Sequence, residues 1–519
     1  MTGNPAAGRA GLAAVAASVA ATVTVAVAGP SVMEPALPGR AGQPPWSLGA
    51  HPSAYLAAGL AAAGLAAGAA GLVLVLRAIR GGWWVPPRAV LAGGLLAAAA
   101  LTLVPPFGSS DQLSYAAYGR MLVTGHDPYT TAPAQLAALG DPVARAVQDW
   151  PGAGSVYGPL ATGVQALASL AAGTSVRLTV FLLGLANLAA FAGTALLLHH
   201  MTRGDRARQL SAAVMWAGNP LLLQVLVAGG HVDGQAVVFA VAAVAVMFGP
   251  RRAGRRAVAV PRAGLAGVLA GLGFAVKATD ALVGLALAVA LVIDVRPAWR
   301  RLVPPLAALA AGFAATAGAA AGIGGSAMLR QLSREGEMVS IGSPWRVIRS
   351  VIHLALVGPA ATGVVQAGAA ALAAALAVLL IRGLPGVLAG PAPQAGADTR
   401  ARRGAGVVFA LILAWLLAWP YVLPWYDAPA WALLPLVPAG AEGLSWALIA
   451  RTAALGLGYL PARQADVTMP GGLSWLQPVV RHGLTPAVLA VVTGWLAVLM
   501  ARSARSSRPQ AQPDEMVLA

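Results

Sequence analysis

A polar stretch between Ser109 and Pro159 contains the residues whose types and spacing are best suited to chemistry. Asp111 opens a predicted helix just after a long apolar run, and Tyr115 and Tyr118 follow it at i+4 and i+7 on the same face. An aspartate there can act as a general base toward a hydroxyl group, and tyrosine rings offer flat surfaces to a sugar. The same pattern fits an acid favoured by the helix dipole with interfacial aromatics beside it, so both interpretations stay open.

The remainder of this stretch predicts a turn and a second helix start. Gly125-His126-Asp127-Pro128-Tyr129 is typical of a turn, because Asp-Pro interrupts helices and glycine tolerates positive φ. His126, Asp127 and Tyr129 could bind sugar hydroxyls, although a plain turn explains the same residues. Tyr157 could do so too, but it also fits a simple helix start before the apolar segment 160–172.

Two polar groups interrupt the apolar runs further along the chain. His231 and Asp233 follow paired glycines between two apolar runs, and they could bind a sugar, orient a base, or form a plain polar hairpin. Lys277 is the chain's only lysine, with Asp280 three residues later. The pair could form a salt bridge in the membrane, or Asp280 could hold the ammonium group for a phosphate contact.

Arginines and aromatic residues mark the C-terminal part. The segment 324–350 is unusually basic, and guanidinium groups suit phosphate recognition, while anchoring to lipid headgroups is the alternative. The candidate phosphate ligands are Lys277, Arg330, Arg334, Arg346 and Arg349. Trp425 and Tyr426 lie in a proline-containing aromatic run that is typical of an interfacial aromatic belt and that could also wall a lipid entrance.

The composition requires that these groups be placed by membrane helices. The chain has 519 residues, of which 58% are hydrophobic and 10% charged, whereas soluble domains have about 25% charged residues. Its net charge of +17 comes from clusters between apolar runs, which favours a role in topology over nucleic-acid binding. The absence of cysteine excludes disulfides and thiolate chemistry. No clear metal-ligand set is visible, and we predict neither a metal nor a cofactor.

Apolar runs long enough to cross a bilayer predict an all-α polytopic membrane protein with about 12–14 transmembrane helices. The predicted regions are N-terminal membrane helices in 1–105, a large catalytic external loop in 106–175, central membrane helices in 176–323, a basic external loop in 324–350, C-terminal membrane helices in 351–501 with a cytoplasmic linker at 383–404, and a disordered cytoplasmic tail in 502–519.

The positive residues predict the orientation, because cytoplasmic loops retain Lys and Arg. Alternating the runs from a cytoplasmic start places most basic residues inside and both termini in the cytoplasm. The candidate chemical residues then fall on or near the extracytoplasmic face, which suggests one shared site. A cleaved signal peptide at residues 10–29 is the alternative for the first run.

Several motifs together resemble one family. They are Asp111 with Ser114-Tyr115-Ala116-Ala117 and Gly119, Gly125-x-Asp127-Pro128-Tyr129, Tyr157-Gly158-Pro159, Gly230-His231-x-Asp233, Lys277-Ala278-Thr279 and Pro424-Trp425-Tyr426. In this order the chain resembles the actinobacterial polyprenol-phosphomannose-dependent α-1,6-mannosyltransferases. Two positions depart from the expected pattern, since Val232 stands where Asn is expected and Val156 where Pro is expected.

The resemblance implies a GT-C glycosyltransferase bundle that uses a polyprenyl-phosphate sugar on the outer face, with Asp111 at the position of the essential acid. The predicted reaction is inverting transfer of mannose from polyprenyl-phosphomannose to a mannan or glycolipid hydroxyl, with an α-1,6 linkage. The alternatives are a flippase or transporter of lipid-linked sugars, or a related transferase that uses arabinofuranose or glucose.

Overall fold

A computed structural model describes residues 5–249, 259–295, 299–356, 358–384, 397–437, 442–462 and 468–506. The regular structure of these residues is helical, with one isolated bridge between Ser31 and Glu34, and this confirms the all-α prediction. The helices are α1 (Pro5–Ala28), α2 (Ala54–Arg80), α3 (Pro87–Thr102), α4 (Asp111–Val123), α5 (Pro133–Ala138), α6 (Pro142–Arg145), α7 (Pro159–Ala172), α8 (Val176–Met201), α9 (Arg206–Met215), α10 (Pro220–Leu222), α11 (Asp233–Phe248), α12 (Val260–Val276), α13 (Ala281–Val295), α14 (Trp299–Gly336), α15 (Pro344–Ile352), α16 (Pro359–Gly383), α17 (Ala397–Ala418), α18 (Ala428–Leu433), α19 (Glu442–Gly458) and α20 (Thr485–Ser506).

Short helical turns of other kinds join these helices. The π-helical segments are Leu223–Ala228 and Leu476–Leu484, and the 3-10 turns are Ala278–Asp280, Pro424–Asp427, Leu434–Leu436 and Gly471–Leu473. Within α14, Gly325 has a φ of 62° and interrupts the helical geometry, a conformation that glycine adopts without steric cost.

Eight helices of the described ranges are long and apolar enough to cross a membrane: Pro5–Ala28, Ala54–Arg80, Val176–Met201, Arg206–Ala228, Arg300–Gly336, Pro359–Gly383, Ala401–Ala418 and Gly471–Ser506. Four shorter apolar helices accompany them: Pro87–Thr102, Pro159–Ala172, Asp233–Phe248 and Val260–Val276. The protein is therefore a multi-pass membrane protein, as predicted. The shorter helices correspond to apolar runs that the sequence also marks.

Small residues let several helices pack closely. Gly11 of α1 lies against the backbone of α2 near Gly71, and Gly267 of α12 lies against the backbone of α14. A methyl group at any of these glycines would overlap the facing helix. Such contacts between small residues allow close van der Waals packing where lipid provides no hydrophobic driving force between helices.

The expected external region 106–175 folds into α4, α5, α6 and α7. Asp141 begins α6 by accepting hydrogen bonds from the amides of Val143 and Ala144, and it also pairs with Arg120 of α4 at 2.7 Å. Gly119 of α4 lies against the backbone of α7 at Gln165, with no room for a side chain. These contacts fix α4 against α6 and α7.

Three expected segments have a different secondary structure from the one predicted, and two of them lie partly outside the described residues. Residues 324–350 were expected as a loop but are mostly helical, because α14 continues to Gly336 and α15 begins at Pro344. In the expected linker 383–404, residues 385–396 lie outside the described residues, and α17 occupies 397–404. In the expected tail 502–519, α20 continues to Ser506, and residues 507–519 are outside the described part.

Candidate active site

Asp111 is the first residue of α4 and lies outside the candidate membrane-spanning helices. Its amide donates a hydrogen bond to Ser109 Oγ at 3.1 Å, and its side chain is 16% exposed. Burial is the main cause that raises the pKa of Asp111 to about 7, and the nearby Asp149 carboxylate raises it further. A carboxyl group with this pKa can accept a proton near neutral pH.

His231 lies beside Asp111, with its Nδ1 3.5 Å from Asp111 Oδ2. The ring is buried, in a turn where Gly230 has a φ of 65° and accepts a hydrogen bond from Asn187 Nδ2 at 2.8 Å. Burial, and then the nearby Lys277 ammonium, hold the pKa of His231 well below its usual range. A neutral imidazole therefore faces the carboxyl group, so Asp111 gains no full counterion from it.

Lys277 occupies the junction between α12 and α13 and makes two close contacts. Its Nζ lies 2.6 Å from Asp233 Oδ1 and 3.7 Å from the centroid of the Tyr426 ring. The expected pairing partner Asp280 is nearby and buried, but the hydrogen bond of Lys277 is to Asp233 of α11. Lys277 pairs with Asp233 and not with the expected Asp280, because its extended backbone directs the ammonium group toward α11.

The turn Pro424–Asp427 packs two aromatic rings onto this cluster. Trp425 stacks on His231 with ring centroids 3.4 Å apart, and the Tyr426 hydroxyl donates to Glu335 Oε1 at 3.3 Å. Both rings are buried, at 3% and 6% exposure. They lie inside the site, which differs from the lipid entrance expected from the sequence.

Asp427 anchors that turn to α19. Its carboxylate accepts hydrogen bonds at 2.8 Å from both Arg451 Nε and Thr452 Oγ1, and all three residues are buried. Hydrogen bonds of this kind compensate for taking charged groups out of water. The anchor fixes the positions of Trp425 and Tyr426 over His231 and Lys277.

The tyrosines expected to bind sugar fall into two groups. Tyr157 donates a hydrogen bond to the Tyr115 hydroxyl at 3.3 Å, and the two rings lie edge to face. Burial is the main cause that raises the pKa of both hydroxyls, and the Asp111 charge raises it further, as it does for Tyr118. By contrast, Tyr118 donates to the carbonyl of Ala153 at 3.2 Å and supports the loop that follows α6.

The turn at residues 125–129 forms as expected, with Gly125 at a φ of 81°. Asp127 accepts a hydrogen bond from the Tyr129 amide at 2.9 Å, and His126 Nδ1 lies 3.1 Å from Thr124 Oγ1. The Tyr129 hydroxyl lies 3.3 Å from Thr162 Oγ1. These polar groups are thus engaged in contacts within the turn and with α7, and their sugar-binding role remains a prediction.

A cavity of about 580 Å³ lies beside this cluster, and we call it the arginine-lined cavity. Its wall consists of Ser109, Asp149, Trp150, Arg334, Glu337, Met338, Val339, Ser340, Ile341, Gly342, Arg349, Tyr421, Val422, Leu423, Pro424, Leu455, Gly458, Tyr459, Arg481 and Thr485. Two of the five predicted phosphate ligands, Arg334 and Arg349, are among them. Arg330 and Arg346 are exposed and do not line it, while Lys277 is buried in the neighbouring cluster.

Two residues of this wall were missed by reasoning from the sequence. Arg481 donates hydrogen bonds to the carbonyl groups of Gly458 and Pro461, and its guanidinium lies 5.6 Å from the Tyr459 ring centroid. Asp149 accepts a hydrogen bond from Ser110 at 2.6 Å. Neither residue belongs to a recognisable motif. Arg481 lies a few residues before the last apolar run, and Asp149 is next to Trp150, so their positions in the chain were the only signal in the sequence.

The site thus joins a buried, ionisable cluster to an open cavity that carries both charged and apolar walls. Such a combination can bind an amphiphilic substrate and accept a proton from it, which is the work of a membrane-embedded transferase. In the described part of the chain, no three or more His, Asp or Glu side chains are grouped in a way that could hold a metal ion.

Comparison with known protein families agrees with this class. Residues 8–294 match the model of the MptA_B family, described as α-(1→6)-mannopyranosyltransferase, N-terminal domain. The match covers more than half of the 519 residues, and the chain belongs to this family. The protein is accordingly a glycosyltransferase of the mannosyltransferase kind, and the resemblance predicted from the sequence is confirmed.

The crystal structure of ArnT from Cupriavidus metallidurans in the apo state is similar, with a TM-score of 0.33 and 14% sequence identity, over 73% of this chain and 72% of that chain. No curated protein sequence matches the chain significantly.

Proposed function

We propose that the protein transfers mannose from polyprenyl-phosphomannose to a hydroxyl group of a mannan or glycolipid, forming an α-1,6 linkage with inversion of the anomeric centre. The observation that carries this proposal is the position of Asp111. Its neighbours Ser109 and Ser110 connect it to the arginine-lined cavity, directly through Ser109 in the wall and indirectly through the hydrogen bond from Ser110 to Asp149.

In this reaction, Asp111 accepts the proton of the acceptor hydroxyl as its oxygen attacks the anomeric carbon of mannose. The bond between that carbon and the phosphate oxygen breaks, and the polyprenyl phosphate leaves with both bonding electrons. The sugar passes through an oxocarbenium-like state, as in inverting glycosidases. Attack from the face opposite the leaving group converts a β-linked donor into an α-linked product.

The arginine-lined cavity provides groups for the donor. Arg334, Arg349 and Arg481 can stabilise the negative charge that develops on the leaving phosphate. Apolar wall residues such as Val422 and Leu455 can contact the first isoprene units of the lipid. Tyr115 and Tyr157 offer ring faces to a sugar near Asp111.

The same proposal places the protein in the cell membrane with a GT-C-like arrangement of helices. The excess of arginine between alternate apolar runs supports two cytoplasmic termini and an active site on the extracytoplasmic face. A lipid-linked donor and a cell-envelope acceptor would meet there.

A reconstitution assay tests this function. Purified protein in proteoliposomes would receive polyprenyl-phospho-[¹⁴C]mannose and a synthetic α-mannoside, with polyprenyl-phospho-arabinofuranose and -glucose as parallel donors. We expect labelled α-1,6-linked product from the mannose donor. Product from another donor alone would contradict the assigned sugar, and lipid translocation without glycosidic bond formation would contradict the transferase function.

A further inference from the structure

Asp149 is tied to the beginning of α4 by two hydrogen bonds. Ser110 Oγ donates to the Asp149 carboxylate at 2.6 Å, and Ser114 Oγ donates to the Asp149 carbonyl at 3.1 Å. Ser110 directly precedes Asp111, and Ser114 lies one turn further along the same helix face. The Asp149 carboxylate therefore has a fixed position relative to the proposed base.

The same carboxylate reaches the arginine-lined cavity. Asp149 is partly exposed and forms part of its wall together with Ser109, whereas Asp111 itself is not a wall residue. Asp149 is thus an acidic wall residue that is tied by hydrogen bonds to the start of the helix that carries the proposed base. The mechanism described above gives it no role.

The charges of the wall indicate which substrate Asp149 faces. Arg334, Arg349 and Arg481 suit a phosphate group, whereas the Asp149 and Glu337 carboxylates would repel one. A carboxylate accepts hydrogen bonds from sugar hydroxyls and has no hydrogen to donate. Because Asp149 is hydrogen-bonded to Ser110, the residue next to the base, we expect the sugar beside Asp149 to be the one whose hydroxyl the base deprotonates.

We propose that Asp149 is an acceptor-binding residue, whose carboxylate accepts a hydrogen bond from an acceptor hydroxyl adjacent to the one that Asp111 deprotonates. The inference rests on the proposed transfer reaction and assigns one of its binding contacts. It makes Asp149 a positioning residue for the acceptor, and Ser110 the residue that orients Asp149.

The proximity of the two carboxylates supplies an independent readout. Asp149 raises the pKa of Asp111, and removing its charge should lower that pKa. The other ionisable groups that interact with Asp111 are Lys277, Asp233, His231, Tyr115, Tyr118, Tyr157, Tyr421, Tyr426 and Tyr459. All of these residues are still present in an Asp149 variant.

The main test compares Asp149→Asn with Asp141→Asn. Asp141 lies in the same region and supports α6 and Arg120, but it does not line the cavity, so it controls for disturbance of the loop. For Asp149→Asn we expect the acceptor KM to rise about tenfold, as for loss of a charge-assisted hydrogen bond. The acidic limb of the kcat/KM profile should move to lower pH.

Two further variants separate contact from charge. Asp149→Glu keeps the charge but moves the carboxylate, and Ser110→Ala keeps the carboxylate but removes its 2.6 Å hydrogen bond. Both should raise the acceptor KM and leave the acidic limb nearly in place. The proposal would be overturned if Asp149→Asn, Asp149→Glu and Ser110→Ala all kept the wild-type acceptor KM. It would also be overturned if these variants lowered only the amount of folded protein, and the folded molecules had normal kinetics.

A binding measurement distinguishes this inference from the proposed reaction. Octyl α-D-mannopyranoside should raise the thermal unfolding midpoint of the wild-type protein and of Asp141→Asn, and raise that of Asp149→Asn much less. This result would support an acceptor site even if polyprenyl-phosphomannose proved not to be the donor. Equal stabilisation of all three proteins would contradict the role of Asp149, whether or not mannose transfer is observed.

Discussion

Two regions of the molecule contribute to the site in different ways. Within residues 8–294, which match the family, Asp111, His231, Asp233 and Lys277 form a cluster with little exposure to solvent. The wall of the arginine-lined cavity comes mostly from beyond residue 294, with Ser109, Asp149 and Trp150 as the exceptions. The first region holds ionisable groups away from water, and the second leaves room for a substrate.

This difference separates chemistry from binding. A buried carboxyl group keeps a high proton affinity, which a base needs at neutral pH, whereas a wall of partly exposed arginines can adapt to a bulky anionic ligand. Changes in the buried cluster should therefore affect stability and turnover. Changes in the cavity wall should mainly affect the apparent affinity for substrates.

The largest expected effect follows from breaking the buried ion pair. Lys277→Met leaves the Asp233 carboxylate buried without its 2.6 Å partner and should destabilise the protein by about 3–5 kcal/mol. The thermal unfolding midpoint in detergent measures this loss. The double variant Lys277→Met/Asp233→Leu should recover much of the stability, and a failure to recover any of it would contradict the importance of the pairing.

A smaller effect is expected from the cavity arginines. Arg334→Gln, Arg349→Gln and Arg481→Gln should each raise the donor KM about tenfold, because each removes a charged contact to phosphate. The exposed residues Arg330 and Arg346 do not line the cavity and provide matched controls, whose Gln variants should change the donor KM less than about twofold. Equal effects in both sets would contradict the separation of the two regions.

The pH dependence of kcat/KM gives a third prediction. Asp111 acts as a base only when it is deprotonated, and its pKa is about 7. The value of kcat/KM should therefore fall about tenfold per pH unit below that pKa and level off above it. A profile that stays flat down to pH 5 would show that the proton acceptor is a group with a lower pKa.

The smallest effect is expected at the turn formed by residues 125–129, which belongs to the first region. In Asp127→Asn the amide oxygen can still accept the hydrogen bond from the Tyr129 amide, so the stability should change by less than about 0.5 kcal/mol. Acceptor KM decides between the two roles of Asp127, and it should stay within about twofold of the wild-type value if Asp127 serves only the turn. A large rise in acceptor KM would instead support direct sugar binding by Asp127.

The local parts of the fold and site could be predicted from the sequence. Apolar runs indicate the membrane helices, and the polar break after α3 places Asp111 at a helix start. The turn at Gly125 follows from residue preferences over a few positions. In each case the neighbours along the chain determine the structure.

Contacts between distant parts of the chain could not be predicted in the same way. Spacing favoured Asp280 as the partner of Lys277, but the closer carboxylate belongs to Asp233, 44 residues away in the sequence. The stacking of Trp425 on His231 and the role of Asp149 in the cavity wall depend on how helices pack. Helix packing is set by many weak contacts at once, which local patterns do not specify.

The central claim is that Asp111 performs the proton transfer on substrates held by the arginine-lined cavity. It is tested most directly by single-turnover transfer of labelled mannose by Asp111→Asn, measured beside donor binding to the same preparation. We expect the donor Kd to stay within about threefold of the wild-type value and the transfer rate to fall by at least about 100-fold. A wild-type transfer rate per folded Asp111→Asn molecule would contradict the claim.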